Sequence, residues 1–382
     1  MNKFDATLVV THIVYRKKPP YEPVEGPYSG CCEALESIVT EVQSLQIPLS
    51  GFNDPVIYGK WKKERRLAFP KILGRIVPLK YLTDVGIILL FTATFCIKNR
   101  NKKIVVIGID PLSCLPLVFL KKIFKYKLVF YSIDFSKSRL ANKFMQKLYE
   151  KADEIDSRHS NQTWIICESV GKYKKNKYGT ESYYVPHAPI FNDGFFENGR
   201  NLRTGNKMAW TGSLLTDRLF DIIFDVLKKI QNDVRPDMEF YFAPTRDHEK
   251  IEAYCQKYEL KKYQVLDLHS RLEWQEFAAT CDVGIALYDE QFGSTKFIEP
   301  VKIWDYLLCG LPFIVSSEPS ISEPIKNSGV AYFLNPKNEI PNDSSLEKFL
   351  NPENIKEKQL ACLEIAKEYD ISKQIELRLS AL

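Results

Sequence analysis

At 382 residues, 45% hydrophobic and 26% charged, the chain has a globular composition and length enough for two domains of about 150–200 residues. Its nine cysteines are odd in number and form no C-x-x-C pair beside a histidine cluster, which argues against structural zinc or any other metal site and suits a reducing cytoplasm. The net charge of +5 hides an asymmetry: residues 1–190 hold 30 Lys and Arg against 17 Asp and Glu, and the rest hold 23 against 31, so an anionic partner is expected for the first half.

Residues 1–5 lack the apolar core of a signal peptide. Apolar runs at 7–13, 104–107, 128–133 and 164–167 read as buried strands, while 31–45 and 137–151 carry helical periodicity. Such alternation predicts a parallel sheet built from βαβ units. In these sheets ligands bind beyond the carboxyl ends of the strands, so the turns after each strand hold the candidate residues. Ser29-Gly30 precedes the helix expected from Cys31, and Gly30 can admit a ligand close to the backbone; an ordinary loop glycine is the alternative. Asp110 follows one strand and Asp134 another. Each can orient or deprotonate an acceptor hydroxyl if a closed cleft raises its pKa. For Asp110, a turn aspartate before Pro111 is the plainer reading.

Two apolar segments accompany the basic charge. Residues 85–97 precede Lys98, Arg100, Lys102 and Lys103 but number too few to span a bilayer, so a helix packed on a sheet is expected. Residues 115–127 mix aliphatic and aromatic side chains with Lys121, Lys122, Lys125 and Lys127, and fit either a packed helix or an anionic membrane surface. Trp61 among lysines and arginines reads as a solvated loop or an interfacial anchor. A membrane ranks above nucleic acid as the anionic partner, because no nucleic-acid-binding motif accompanies the charge.

Prolines and glycines mark a hinge over 191–206, dividing the chain into 1–190, 207–360 and a C-terminal helix, 361–382, that can return to the first domain. Beyond the hinge, strands are expected at 208–210, 239–242, 264–266, 283–287, 313–315 and 331–334, with helices at 220–230, 274–279 and 300–309. Gly212 and Ser213 end the first of these strands, and Arg218 opens the next helix. There Arg218 can clamp a diphosphate or pair with Asp217 or Asp221. His187 and His269 read first as loop residues, and the loop 288–296 is polar and able to contact ligand hydroxyls.

The run from Glu299 to Pro312 is the most informative. Glu299 suits an N-cap, Pro300 a first helical position, and Gly310 and Pro312 a stop. Lys302 and Asp305 then share one helix face, where they can bind a diphosphate and a ribose, or form a surface ion pair.

Pro300, Lys302, Asp305, Tyr306, Leu307, Gly310 and Pro312 resemble the nucleotide-sugar signature of GT-B glycosyltransferases. The likeness is to retaining, family 4-like enzymes of bacterial and archaeal polysaccharide and lipid-linked glycan synthesis. Ser29, Gly30 and Glu33 resemble that family's first glycine loop, and Gly212 with Arg218 its phosphate loop. The family carries two glutamates separated by seven residues; here Asp305 stands second, Phe297 stands first, and Glu299 lies two residues out of register. The resemblance implies an α/β fold of two Rossmann-like, doubly wound domains facing a cleft. It also implies a metal-independent hexosyltransferase with no cofactor beyond its nucleoside-diphosphate-sugar donor. Gly30, Gly212, Ser213, Arg218, Glu299, Lys302 and Asp305 would bind that donor, with Asp134 and Asp110 catalytic. The acceptor would be a lipid-linked or polysaccharide hydroxyl, met by a peripheral enzyme on the cytoplasmic membrane face. Two alternatives stay open: a nucleotide-sugar 2-epimerase, and a catalytically inactive, membrane-associated glycan-binding subunit.

Overall fold

Apolar, β-branched runs become the buried strands of two parallel sheets. The computed structural model describes residues 3–14, 26–49, 56–68, 77–133, 135, 143–213, 216–289, 291, 295–334 and 344–382. The chain forms two compact units, residues 1–190 with 371–382, and residues 191–370.

The first unit runs β1 (Ala6–Ile13), α1 (Pro27–Ile38), β2 (Glu41–Pro48), β3 (Val56–Lys60), β4 (Lys63–Leu67), α2 (Val77–Lys98), β5 (Ile104–Ile109), α3 (Pro111–Leu120), β6 (Lys127–Ser132), α4 (Lys143–His159), β7 (Gln162–Ile165), α5 (Glu168–Tyr178) and β8 (Tyr183–Tyr184). Its strand order is β4-β3-β2-β1-β5-β6-β7-β8. All neighbours are parallel except the β2-β3-β4 edge. Chain direction across the sheet reverses at β1, which leaves a switch point between β1 and β5. Leu8, Val10, Val106, Leu128 and Phe130 of the strands pack against Ile88, Phe95, Cys114 and Leu117 of α2 and α3. Gly108 is required by that packing, since a β-carbon there would stand 2.8 Å from the Cys114 backbone.

The second unit runs α6 (Gly194–Gly199), β9 (Lys207–Gly212), α7 (Asp217–Lys229), β10 (Glu239–Pro244), α8 (His248–Lys257), β11 (Tyr263–Val265), α9 (Arg271–Ala278), β12 (Val283–Ala286), α10 (Val301–Leu308), β13 (Phe313–Ser316), α11 (Glu323–Asn327), β14 (Ala331–Leu334), α12 (Ser345–Phe349) and α13 (Pro352–Glu368). The order β11-β10-β9-β12-β13-β14 is wholly parallel. It is the 3-2-1-4-5-6 order of a dinucleotide-type sheet, whose crevice lies between the first and fourth strands. Here these are β9 and β12. The last helix, α14 (Ile371–Ser380), belongs to the first unit.

Several expected elements differ. The helix expected over 31–45 starts earlier and ends at Ile38, because Val42, Leu45 and Ile47 turn their β-branched or aliphatic side chains into a strand, β2. Trp61 lies in the tight turn of the β3-β4 hairpin, with Lys62 at φ 63°. The stretch 85–97 is part of a 22-residue helix, of which Leu79–Lys98 is long and apolar enough by composition to cross a membrane. That helix packs one face on the core, as expected, but its outer face is apolar too. Leu82, Leu90 and Ile97 are exposed at 69%, 73% and 61%. The run 115–127 is split between α3 and a turn, leaving Phe119 and Ile123 exposed beside Lys122 and Lys125.

Candidate functional site

Each unit gathers polar side chains at its switch point. In the second, Tyr306 of α10 lies flat on Gly284 of β12, where a β-carbon would stand 2.6 Å from the ring. The Tyr306 hydroxyl donates to Ala209 O of β9 (3.3 Å) and Ile285 O of β12 (2.9 Å). Helix α10 is therefore fixed across the two strands that flank the crevice.

Lys302, one turn earlier, projects beside the end of β9. Gly212 has φ 120°, which calls for glycine, and a β-carbon there would stand 3.0 Å from Lys302 Nζ, so the bend also leaves room for the ammonium. The ammonium sits 5.0 Å from the Trp210 ring centre and 5.6 Å from that of Tyr288. No carboxylate lies within salt-bridge distance of it among the described residues. Burial pulls its pKa from 10.5 to about 7. The ammonium is half-buried and has no carboxylate partner beside this glycine bend, an arrangement able to receive an anion.

Arg218 approaches from α7, whose N-cap Thr216 accepts from Leu219 N at 3.2 Å. Arg218 is paired neither with Asp217, which Lys250 holds, nor with Asp221, which Lys257 holds at 2.9 Å. Its partner is the buried Asp289, 3.3 Å away just after β12. Tyr288 and Asp289 thus tie Lys302 and Arg218 to one loop. Ser213 follows Gly212 and is half-buried.

Two of the expected donor-binding residues have partners within the protein. Asp305 makes no ion pair with Lys302: its Oδ1 accepts from Arg271 Nε and Nη2 (3.0 and 2.8 Å) and from Gln275 Nε2 (2.8 Å), all on α9. It is 5% exposed, so this carboxylate clamps α10 to α9. Glu299 is not the N-cap; Pro300 takes that position, one residue later than expected. Buried Glu299 instead accepts from Trp304 Nε1 (3.1 Å) and Ser322 N (3.2 Å). Phe297 is likewise buried, on a short 3-10 turn.

In the first unit, β1 and β5 pair Thr11 with Ile109, which sets His12 and Asp110 side by side at the strand ends. Asp110 has φ 75° and ψ 154°, a conformation rare outside glycine. Its Oδ1 accepts from Ser113 N (2.9 Å), capping α3, and its Oδ2 meets Ser113 Oγ (2.8 Å) and His12 Nδ1 (3.1 Å). His12 Nε2 lies 3.4 Å from Asp84, which Lys80 also contacts at 2.5 Å. Burial opposes the imidazolium, but Asp110 and Asp84 outweigh it and raise His12 from 6.5 to about 9. For Asp110, burial favours the neutral acid, yet His12 and then Ser113 hold the carboxyl below its ordinary value. An acid so depressed is an acceptor and orienting group, not a base poised near neutrality. Sequence reasoning missed His12 and Asp84; the available signal was a polar residue at the end of the strand beside the switch point.

Gly30 does not form a loop. It lies early in α1, whose first residue is Pro27, and a β-carbon added to it would lie 3.6 Å from Ile371 of α14. The helix begins sooner because Pro27 is suited to a first turn. Asp134 lies outside the described residues.

No family model matches the chain, and no curated protein matches it. Solved structures do. HepE from Anabaena, in complex with UDP, is 12% identical with a TM-score of 0.61, covering 98% of this chain and 100% of that one. Sucrose-phosphate synthase from Thermosynechococcus elongatus is 13% identical with a TM-score of 0.65, covering 99% and 98%. A UDP-forming trehalose-phosphate synthase from Burkholderia xenovorans, in complex with glucose-6-phosphate, is 10% identical with a TM-score of 0.65, covering 98% and 99%. The fold is that of the GT-B glycosyltransferases: two Rossmann-like, doubly wound units.

Proposed function

We propose that the chain is a glycosyltransferase that moves a sugar, a hexose in the simplest case, from a nucleoside-diphosphate sugar to a hydroxyl of a lipid-linked or polysaccharide acceptor. One observation carries this reading: the unpaired Lys302 ammonium stands against the Gly212 bend, at the switch point of a 3-2-1-4-5-6 sheet. A diphosphate placed there meets Lys302, the start of α7 and Arg218. As the bond from the anomeric carbon to the diphosphate breaks, negative charge grows on the leaving oxygen. Two cations supply the stabilisation that a metal ion gives elsewhere, so the reaction is proposed to be metal-independent. Gly212 and Ser213 would line the diphosphate. Asp305 and Glu299 act by holding α10 in place, and Asp305 contributes to ribose binding only beside Arg271.

On the acceptor side, Asp110 and Asp134 are proposed to orient the hydroxyl, with Asp110 kept ionised by His12. The basic charge and the exposed Phe119 and Ile123 support an enzyme peripheral on the cytoplasmic, anionic membrane face. One observation favours a second reading, a glycan-binding subunit without activity: Phe297 stands where the family has its first glutamate, and the nearby Glu299 is occupied by Trp304 and Ser322. Incubation with UDP-, GDP-, ADP- and TDP-sugars and a membrane lipid extract, followed by mass spectrometry, separates the readings. Transfer predicts equal amounts of released nucleoside diphosphate and glycosylated product. A 2-epimerase gives an isomerised sugar without acceptor, and the inactive subunit leaves every nucleotide sugar intact.

A further inference from the structure

The opposite, amino-terminal edge of the first sheet carries a cavity of about 430 Å³. Its walls are the buried side chains of Phe4, Ile104 and Tyr126, and Lys3, Lys103, Lys125 and Lys127 stand around it. These lysines come together for a topological reason: they precede or open β1, β5 and β6, which are adjacent and parallel. Lys3 Nζ donates to Ser380 O at 3.0 Å. None of the four ammonium groups pairs with a carboxylate side chain among the described residues, although the neighbouring Lys102 is paired with Glu41 at 2.7 Å. Asp5, the nearest acid in sequence, accepts at 2.8 Å from the Lys103 backbone N–H. The positive field is crowded further by Lys121, held below its ordinary pKa by burial and then by Lys127.

An apolar cavity of this size rimmed by four lysines, with Asn161 and Leu382 completing its lining, fits a ligand with a hydrocarbon portion and an anionic head. Free phosphate would leave the apolar walls wet, and a neutral lipid would leave the lysines without partners. The cavity lies at the end of the sheet away from His12 and Asp110, so it is separate from the groups assigned to the acceptor, and it is formed without the second unit.

We propose that this cavity binds a phosphate-bearing amphiphile, its head held by Lys3, Lys103 and Lys127 and its chain against Phe4, Ile104 and Tyr126. Full-length protein is titrated calorimetrically with dodecyl phosphate below its critical micelle concentration, with inorganic phosphate and with dodecyl maltoside. Dodecyl phosphate is expected to bind one per chain, at least a hundredfold tighter than inorganic phosphate, with no binding of the maltoside. The exposed-site variant Lys3→Gln/Lys103→Gln/Lys127→Gln should keep its melting temperature and bind dodecyl phosphate at least tenfold more weakly. Three results overturn the proposal: no dodecyl phosphate binding, inorganic phosphate binding as tightly, or unchanged affinity in the triple variant. Vesicle docking and nucleotide binding are read separately, so failure here leaves the transferase and membrane readings to their own tests.

Discussion

The Lys302 ammonium gives the donor site a pH signature. Burial holds its pKa at about 7, against 10.5 for an ordinary lysine. A bound diphosphate supplies the missing counter-charge and raises that pKa, so above pH 7 binding must be accompanied by proton uptake. At pH 8.5 only about 3% of the molecules carry the charge, against about half at pH 7, so affinity should fall about fifteenfold, or ~1.6 kcal/mol, between them. Lys302→Met removes a charge-assisted bond worth ~1.5–3 kcal/mol at the acid end, and its affinity should be nearly flat over the same range. Isothermal titration with UDP and GDP, in two buffers of different ionisation enthalpy, reads both affinity and protons taken up. Titration of the ligand itself is common to the two proteins and cancels in their ratio. The reasoning is refuted if wild-type affinity shows no fall, or if Lys302→Met shows the same one.

Asp305→Asn should lower stability by about 2–3 kcal/mol, less than a fully buried pair because Arg271 is partly exposed, and nucleotide affinity should fall only modestly; a large affinity loss at unchanged melting temperature would restore a direct ribose contact. Burial lowers the His12 pKa less than Asp110 and Asp84 raise it, from 6.5 to about 9, so its stabilisation is complete below pH 6.5 and disappears as the pH rises through 9. The stability gap between wild type and His12→Gln, measured by urea unfolding, should therefore narrow by roughly 2–3 kcal/mol from pH 6 to 10; a constant gap would contradict the ion-pair assignment. Binding to vesicles should rise with anionic lipid, fall in high salt by screening, and weaken in Lys121→Gln/Lys122→Gln/Lys125→Gln. Absence of binding at low salt would favour a soluble anionic glycan as acceptor.

What the sequence disclosed was local. Periodicity and punctuation placed α10 to within a residue, and brought out Lys302 and Gly212, because a capped helix and a glycine bend are written in neighbouring residues. What it concealed was pairing across distance. Asp305 finds Arg271 and Gln275 34 and 30 residues away, so spacing alone offered Lys302 as its partner. His12 meets Asp84 and Asp110 at separations of 72 and 98 residues, and inside an apolar strand it carried no motif. The β3-β4 hairpin was hidden by its charge: Lys63–Leu67 is exposed throughout, so its edge strand has no apolar alternation to read. Gly30 was misplaced for the opposite reason, since a glycine near a helix start reads equally as a loop or a helical residue.

Donor binding at the end of β9 is the claim on which the functional account rests, and a thermal-shift titration of wild type, Lys302→Met and Arg218→Ala with UDP-, GDP-, ADP- and TDP-sugars tests it most directly. One nucleotide series should raise the melting temperature of wild type in proportion to the logarithm of its concentration above Kd, and the shift should shrink in both variants. If no series stabilises wild type, or if both variants respond as wild type does, the Gly212–Lys302–Arg218 site is not where this chain binds a nucleotide sugar.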